Sequence, residues 1–68
     1  MRIYTPYPDV TVIYFYDLHA KVDIYWDEDL VIIKQPQYLG GRLERRLADY
    51  DDFEGDMRTW ILSLRQRD

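Results

Sequence analysis

The sequence has no cysteine, a single histidine, three glycines and three prolines among its 68 residues. Without cysteine the chain can form neither a disulfide nor a thiolate metal site, and one histidine cannot build a zinc site alone. With so little glycine and proline, the sequence contains no linker that would divide it. We therefore expect one small domain, residues 1–68, that holds no metal and no cofactor.

Long apolar runs are also missing. A membrane-spanning helix needs about 20 apolar residues, and the two longest runs, Val12–Tyr16 and Leu30–Ile33, are far shorter. The first residues, MRIYTPYPDV, lack the apolar segment and the small-residue cleavage site of a signal peptide. We expect a cytoplasmic protein without membrane contact.

A single core in a chain of this size supplies only about 3–5 kcal/mol of net stability. Since disulfides and zinc are excluded, association is the remaining source of additional stability. We therefore expect a protein partner or a homodimer.

The formal net charge of −4 is unevenly distributed. Residues 1–33 carry two basic and six acidic side chains, whereas residues 34–68 carry seven of each. Because affinity for nucleic acids comes mostly from neutralising phosphates, this balance does not favour nucleic acid as the partner.

Residues 10–35 organise the predicted fold. Three runs rich in β-branched and aromatic residues are separated by two short polar breaks, DLHA at 17–20 and DED at 27–29. Short breaks between such runs predict an antiparallel meander. Residues 1–9 form an edge segment, because their two prolines cannot donate to a sheet ladder.

After Pro36 the apolar spacing changes to three and four residues, which predicts two helices within residues 37–67. Asp51 and Glu54 have the spacing of a capping box for the second helix. The predicted fold class is α+β, a small three- to four-stranded antiparallel meander covered on one face by two C-terminal helices. The predicted core residues are Ile13, Phe15, Val22, Ile24, Trp26, Ile33, Leu43, Leu47, Phe53, Trp60, Ile61 and Leu64.

The residues that most invite a chemical interpretation do not form a reactive group. In a calcium loop that starts at Asp49, position six would be Glu54 instead of glycine and position twelve would be Trp60 instead of glutamate. His19 lies in a predicted turn, and Ser63, the only serine, lies in the predicted last helix. We therefore expect a non-enzymatic protein.

The aromatic sheet is the strongest functional indication. Strand alternation predicts that Tyr14, Tyr16 and Tyr25 share the face that the helices leave open. Tyrosine anchors protein interfaces, and an acidic rim suits a basic protein surface. We expect a small acidic protein-binding module, such as an inhibitor that competes with nucleic acid for a basic surface on its partner. The acidic residues assigned to this contact are Asp23, Asp27, Glu28, Asp29, Asp49, Asp51, Asp52, Glu54 and Asp56.

Two alternatives remain open. Arg42, Arg45 and Arg46 lie at helical spacing, which suits a homodimeric regulator or antitoxin-like subunit that contacts nucleic acid through an Arg-rich helix. The chain can also be a structural accessory subunit that pairs through its aromatic sheet.

Overall fold

The computed structural model describes residues 1–66, so Arg67 and Asp68 lie outside the described part. Two short 3₁₀ turns interrupt the connections at Trp26–Glu28 and Gln37–Leu39. The strands and helices are β1 (Arg2–Tyr7), β2 (Val10–Phe15), β3 (Ala20–Tyr25), β4 (Leu30–Lys34), β5 (Leu43–Arg46), α1 (Leu47–Asp51) and α2 (Met57–Arg65).

The five strands form one antiparallel sheet in the order β1-β2-β3-β4-β5. The predicted α+β class with an antiparallel sheet is confirmed, but the predicted count of three to four strands is too low. The edge segment 1–9 contains a full strand, in which Ile3 pairs with Ile13 and Tyr4 with Val12. Pro6 is tolerated because β1 is an edge strand and because its pairing becomes irregular between Tyr4 and Tyr7.

The fifth strand replaces the middle of the first predicted helix. Leu43 pairs with Ile33 and Arg46 with Leu30, so β5 covers the edge that the apolar strand β4 would otherwise expose. Gly40 and Gly41 adopt φ values of 121° and 68°, which turn the chain back towards the sheet and interrupt any helix. Within residues 37–51, only Leu47–Asp51 forms an α-helix. The predicted helical region ends at residue 67, which lies outside the described residues.

The hydrophobic core lies on one face of the sheet. Register places Ile13, Val22 and Ile33 side by side across three strands, and strand alternation puts their neighbours Phe15 and Ile24 on the same face. The buried cluster joins this face to both helices, and it consists of Phe15, Leu18, Ala20, Val22, Ile24, Val31, Ile33, Leu47, Met57, Trp60, Ile61 and Leu64.

The second helix begins later than the sequence indicates. Asp56 is its N-cap residue, and its carboxylate accepts a hydrogen bond of 2.8 Å from Thr59 N. The predicted capping box of Asp51 and Glu54 is therefore wrong, because both residues precede the cap. No helix within residues 1–66 is long and apolar enough to cross a membrane.

Candidate protein-binding site

The meander gathers acidic residues from three segments at one end of the sheet. Since consecutive strands run in opposite directions, the β1–β2 and β3–β4 turns lie at the same end. Trp26 N donates to Asp9 O at 2.9 Å, and Leu47 N donates to Asp29 O at 3.0 Å. These bonds join both turns to the start of α1. We call this region the acidic end, and its acids are Asp9, Asp27, Glu28, Asp29, Asp49, Asp51 and Asp52.

Asp29 fixes the geometry of the acidic end. It adopts a left-handed conformation with φ of 52°, and its Oδ1 accepts a hydrogen bond of 3.1 Å from Ala48 N. Its carboxylate therefore satisfies a free N–H group in the first turn of α1. Asp27 and Glu28, the other two acids of the predicted turn, are exposed.

Arg46 lies within the acidic end and neutralises part of it. Its Nη2 is 2.9 Å from Asp49 Oδ1. This hydrogen bond and the charge of Asp49 raise the pKa of Arg46, and the charges of Asp29 and Asp52 raise that pKa further. Arg45 also lines a pocket with Asp49 and Asp52. Two arginines do not balance the seven acids of the acidic end, so the region keeps a negative charge.

Two exposed aromatic residues accompany these acids. Trp26 is 50 % exposed and its Nε1 donates a hydrogen bond of 2.8 Å to Thr11 Oγ1, while Tyr7 is 66 % exposed. The prediction that Trp26 belongs to the core is wrong, because β3 ends at Tyr25 and the strand alternation stops there. The sequence did hold a signal for its exposure, since Trp26 directly precedes three acidic residues.

The sheet face opposite the core is the open face. Register places Tyr14 beside Lys21, Val12 beside Asp23, and Val10 beside Tyr25 on this face. Tyr25 therefore lies towards the acidic end and Tyr14 towards the other end. The three tyrosines predicted to act together, Tyr14, Tyr16 and Tyr25, do not form one patch.

Tyr14 and Tyr16 lie next to basic residues. Their rings are nearly parallel, with centroids 5.9 Å apart, and the Tyr4 ring lies 6.1 Å from Tyr14 on its other side. Lys21 Nζ is 5.7 Å from the centroid of Tyr14, and Arg2 lies over Tyr4 at 5.3 Å. Basic side chains therefore lie beside Tyr14 and Tyr4, where an acidic rim was expected.

Asp23 is a buried carboxylate on the open face. Only 4 % of it is exposed, and its oxygens lie 3.2 Å from Lys34 Nζ and 3.8 Å from Lys21 Nζ. Its assignment as a partner-contacting acid does not fit this burial, which leaves its carboxylate out of reach of a docking surface.

The remaining predicted acids have separate positions. Asp56 accepts hydrogen bonds from the Thr59 hydroxyl and amide, and these bonds lower its pKa. Glu54 is exposed in the α1–α2 connection. Both residues follow α1 in the chain, and neither belongs to the cluster at the two turns.

The three arginines assigned to nucleic acid do not share a helix face. Arg45 and Arg46 are neighbours on β5 and therefore point to opposite faces of the sheet. Arg42 pairs with Glu44 at 2.6 Å, and Arg45 Nη1 donates to Glu44 O at 2.7 Å. The predicted Arg-rich helix is wrong, because strand pairing with β4 overrides the helical spacing.

Within residues 1–66, no group of three or more His, Cys, Asp or Glu side chains is arranged to hold a metal ion. Comparison of the chain with protein-family models, with curated proteins and with solved structures gave no match.

Proposed function

We propose that this chain is a small acidic, non-enzymatic protein-binding module of the cytoplasm. Its acidic end docks on a basic surface of a partner protein. The observation that carries this proposal is the position of Trp26, a half-exposed indole held by Thr11 among the acids of two turns.

The exposed Trp26 is of a residue type that is common at the centres of strong protein interfaces. Tryptophan and tyrosine dominate binding energy at interface centres, and charged residues around them direct association. The hydrogen bond to Thr11 orients the indole before binding, which reduces the loss of side-chain freedom on docking. Trp26 therefore supplies the aromatic contact, and Asp9, Asp27 and Glu28 supply the charge.

The partner surface should be one that also binds nucleic acid. Protein surfaces that contact phosphates are rich in Lys and Arg side chains, and exposed carboxylates in a row are attracted to the same cations. The chain would then act as an inhibitor that competes with nucleic acid for its partner.

The positions of the two candidate catalytic side chains support a non-enzymatic role. The Ser63 hydroxyl donates to Trp60 O at 2.7 Å within its own helix, and His19 lies in the β2–β3 turn. A nucleophile requires a base within hydrogen-bond reach, and this serine is directed at its own backbone instead.

Affinity capture from the native host tests the proposal. Three baits are compared at low salt, namely the wild type, Trp26→Ala, and the double variant Asp27→Asn with Glu28→Gln. A basic protein that the wild type retains and both variants lose supports the proposal. The matched control is Asp17→Asn with Glu54→Gln, which removes two exposed carboxylates outside the acidic end and should retain the same protein.

Added nucleic acid then tests for competition. Release of the captured protein by an excess of single-stranded or double-stranded nucleic acid is the expected result. If all baits retain the same proteins, the acidic end is not the binding site.

A further inference from the structure

A shallow groove lies at the end of the open face farthest from the acidic end. Its volume is about 350 Å³, and it runs between the β2–β3 turn and the segment that follows β4. Its lining side chains include Tyr14, Tyr16, His19, Lys21, Lys34 and Gln35. The residues that line it, all within the described part of the chain, include no aspartate and no glutamate. We call this the Tyr–Lys groove.

Two lysines of the groove face each other directly. Lys21 and Lys34 are register partners on adjacent strands, and like charges in that arrangement destabilise a sheet. Asp23 lies between them and offsets one of the two charges. Arg2, the register neighbour of Tyr14, adds another cation to the same row. The row therefore keeps a positive charge although the whole chain is acidic.

The walls of the groove are held in place by one arginine of α2. Arg65 Nη2 donates to Leu18 O at 2.5 Å in the β2–β3 turn, and Arg65 Nε donates to Gln35 Oε1 at 2.9 Å. These two hydrogen bonds connect both walls of the groove to α2.

Aromatic rings flank the cations. Tyr16 is 60 % exposed and its ring is tilted by only 11° from the ring of Tyr14. Parallel aromatic side chains beside lysines and arginines are the features that hold single-stranded nucleic acids, because bases stack on the rings and phosphates pair with the cations. The groove volume of about 350 Å³ is at the lower end of the range of ligand sites, and because the groove is shallow a bound ligand stays partly exposed to solvent.

From these observations we propose that the Tyr–Lys groove binds a nucleotide. Its phosphate contacts Lys21 and Lys34, and its base packs against the exposed ring of Tyr16. A free nucleotide and a nucleotide of a single strand offer the same chemistry to this groove. The proposal does not depend on the acidic end, which lies at the other end of the sheet.

Titrations with two probes test the proposal at low salt. Thymidine monophosphate is followed by amide chemical shifts, and a labelled oligothymidylate is followed by fluorescence anisotropy. Binding of either probe with shifts at Tyr14–Tyr16 and Lys34 is the expected result. Tighter binding of the oligonucleotide identifies a single strand as the source, and equal binding identifies a free nucleotide.

Matched variants separate stacking from charge. Tyr16→Ala should weaken binding of the better probe about tenfold, as expected for the loss of one stacked base. The triple variant Lys21→Gln, Asp23→Asn and Lys34→Gln removes the cations without leaving a lone buried charge, and it should abolish binding. The control Arg42→Gln lowers the net charge by one, as the triple variant does, but outside the groove, and it should bind as the wild type does.

Salt dependence gives an independent readout. Two lysine–phosphate contacts predict a slope of about −1.4 for log affinity against log salt on a single strand. Lys34→Gln alone should roughly halve this slope. The proposal is overturned if the wild type binds neither probe, if the triple variant binds like the wild type, or if inorganic phosphate binds as tightly as thymidine monophosphate.

Discussion

Asp29 and Ala48 lie 19 residues apart in the sequence and are joined by a hydrogen bond of 3.1 Å from Ala48 N to Asp29 Oδ1. This bond fixes the β3–β4 turn against α1, and it assembles the acidic end from separate parts of the chain. Asp29 is therefore a structural residue of the proposed site, whereas Asp27 and Glu28 are free to contact a partner.

Replacement of Asp29 should reduce stability more than replacement of its neighbours. Asp29→Ala removes the carboxylate that accepts from Ala48 N and places alanine at a φ of 52°, a conformation that aspartate and asparagine tolerate better. We expect a loss of about 1–2 kcal/mol, similar to the loss of a side chain that caps a helix N-terminus. Urea denaturation measures it. Asp27→Ala is the control and should change the free energy of unfolding by less than about 0.5 kcal/mol.

The hydrogen bond between Trp26 and Thr11 should matter for binding more than for folding. Thr11→Val keeps the shape of the side chain and removes the acceptor of the indole N–H. We expect partner affinity to fall severalfold, because the ring is no longer oriented before docking. Titration calorimetry with the captured partner measures this change. An unchanged affinity together with altered Trp26 fluorescence would show that orientation of the ring is irrelevant to binding.

The two lysines around Asp23 should differ in their effect on stability. Lys34 Nζ is 3.2 Å from the buried carboxylate and Lys21 Nζ is 3.8 Å away. Lys34→Met should therefore destabilise the fold more than Lys21→Met, by about 1 kcal/mol, because loss of the closer partner leaves Asp23 less compensated. The double variant Asp23→Asn with Lys34→Met should recover part of the loss. Equal effects of the two single variants would contradict this assignment of the pairing.

The cap of α2 should contribute to the acid dependence of stability. Hydrogen bonds from Thr59 lower the pKa of Asp56 below its ordinary value of 3.8. The folded state therefore favours the charged carboxylate, so this contribution is complete above pH 3.8 and is lost as the pH falls through the lowered pKa. Asp56→Asn keeps a capping oxygen but does not titrate. The difference in Tm between wild type and variant should shrink as the pH is lowered through this range, and a constant difference would contradict the assignment.

The meander and the core were predictable because local patterns and tertiary contacts agree there. Strand alternation identified the inward positions of Phe15, Val22 and Ile24, and all three are buried. The fifth strand was not predictable from the spacing of Leu43 and Leu47, which suits a helix as well as an alternating strand. Pairing with β4 decides between the two, and that contact is absent from any local pattern.

The charges of the candidate site were predictable only in part. The sequence identifies Asp27 and Glu28 as exposed acids, but it does not show that Asp9 and Asp49 join them. That arrangement follows from the directions of the strands and from two hydrogen bonds, one from Trp26 N to Asp9 O and one from Ala48 N to Asp29 Oδ1. The position of the lysines near Tyr14 was not predicted either. Lys21 lies opposite Lys34 because of the strand register, and no sequence pattern indicates that register.

The measurement that tests the central claim most directly is the affinity of the captured partner for three forms of the chain at low and high salt. The forms are the wild type, Asp27→Asn with Glu28→Gln, and the control Asp17→Asn with Glu54→Gln. A site at the acidic end predicts a loss of at least about tenfold, or 1.4 kcal/mol, for the first double variant, together with a weaker salt dependence. The control should bind as the wild type does. Equal losses in both double variants, or none in either, would contradict docking through the acidic end.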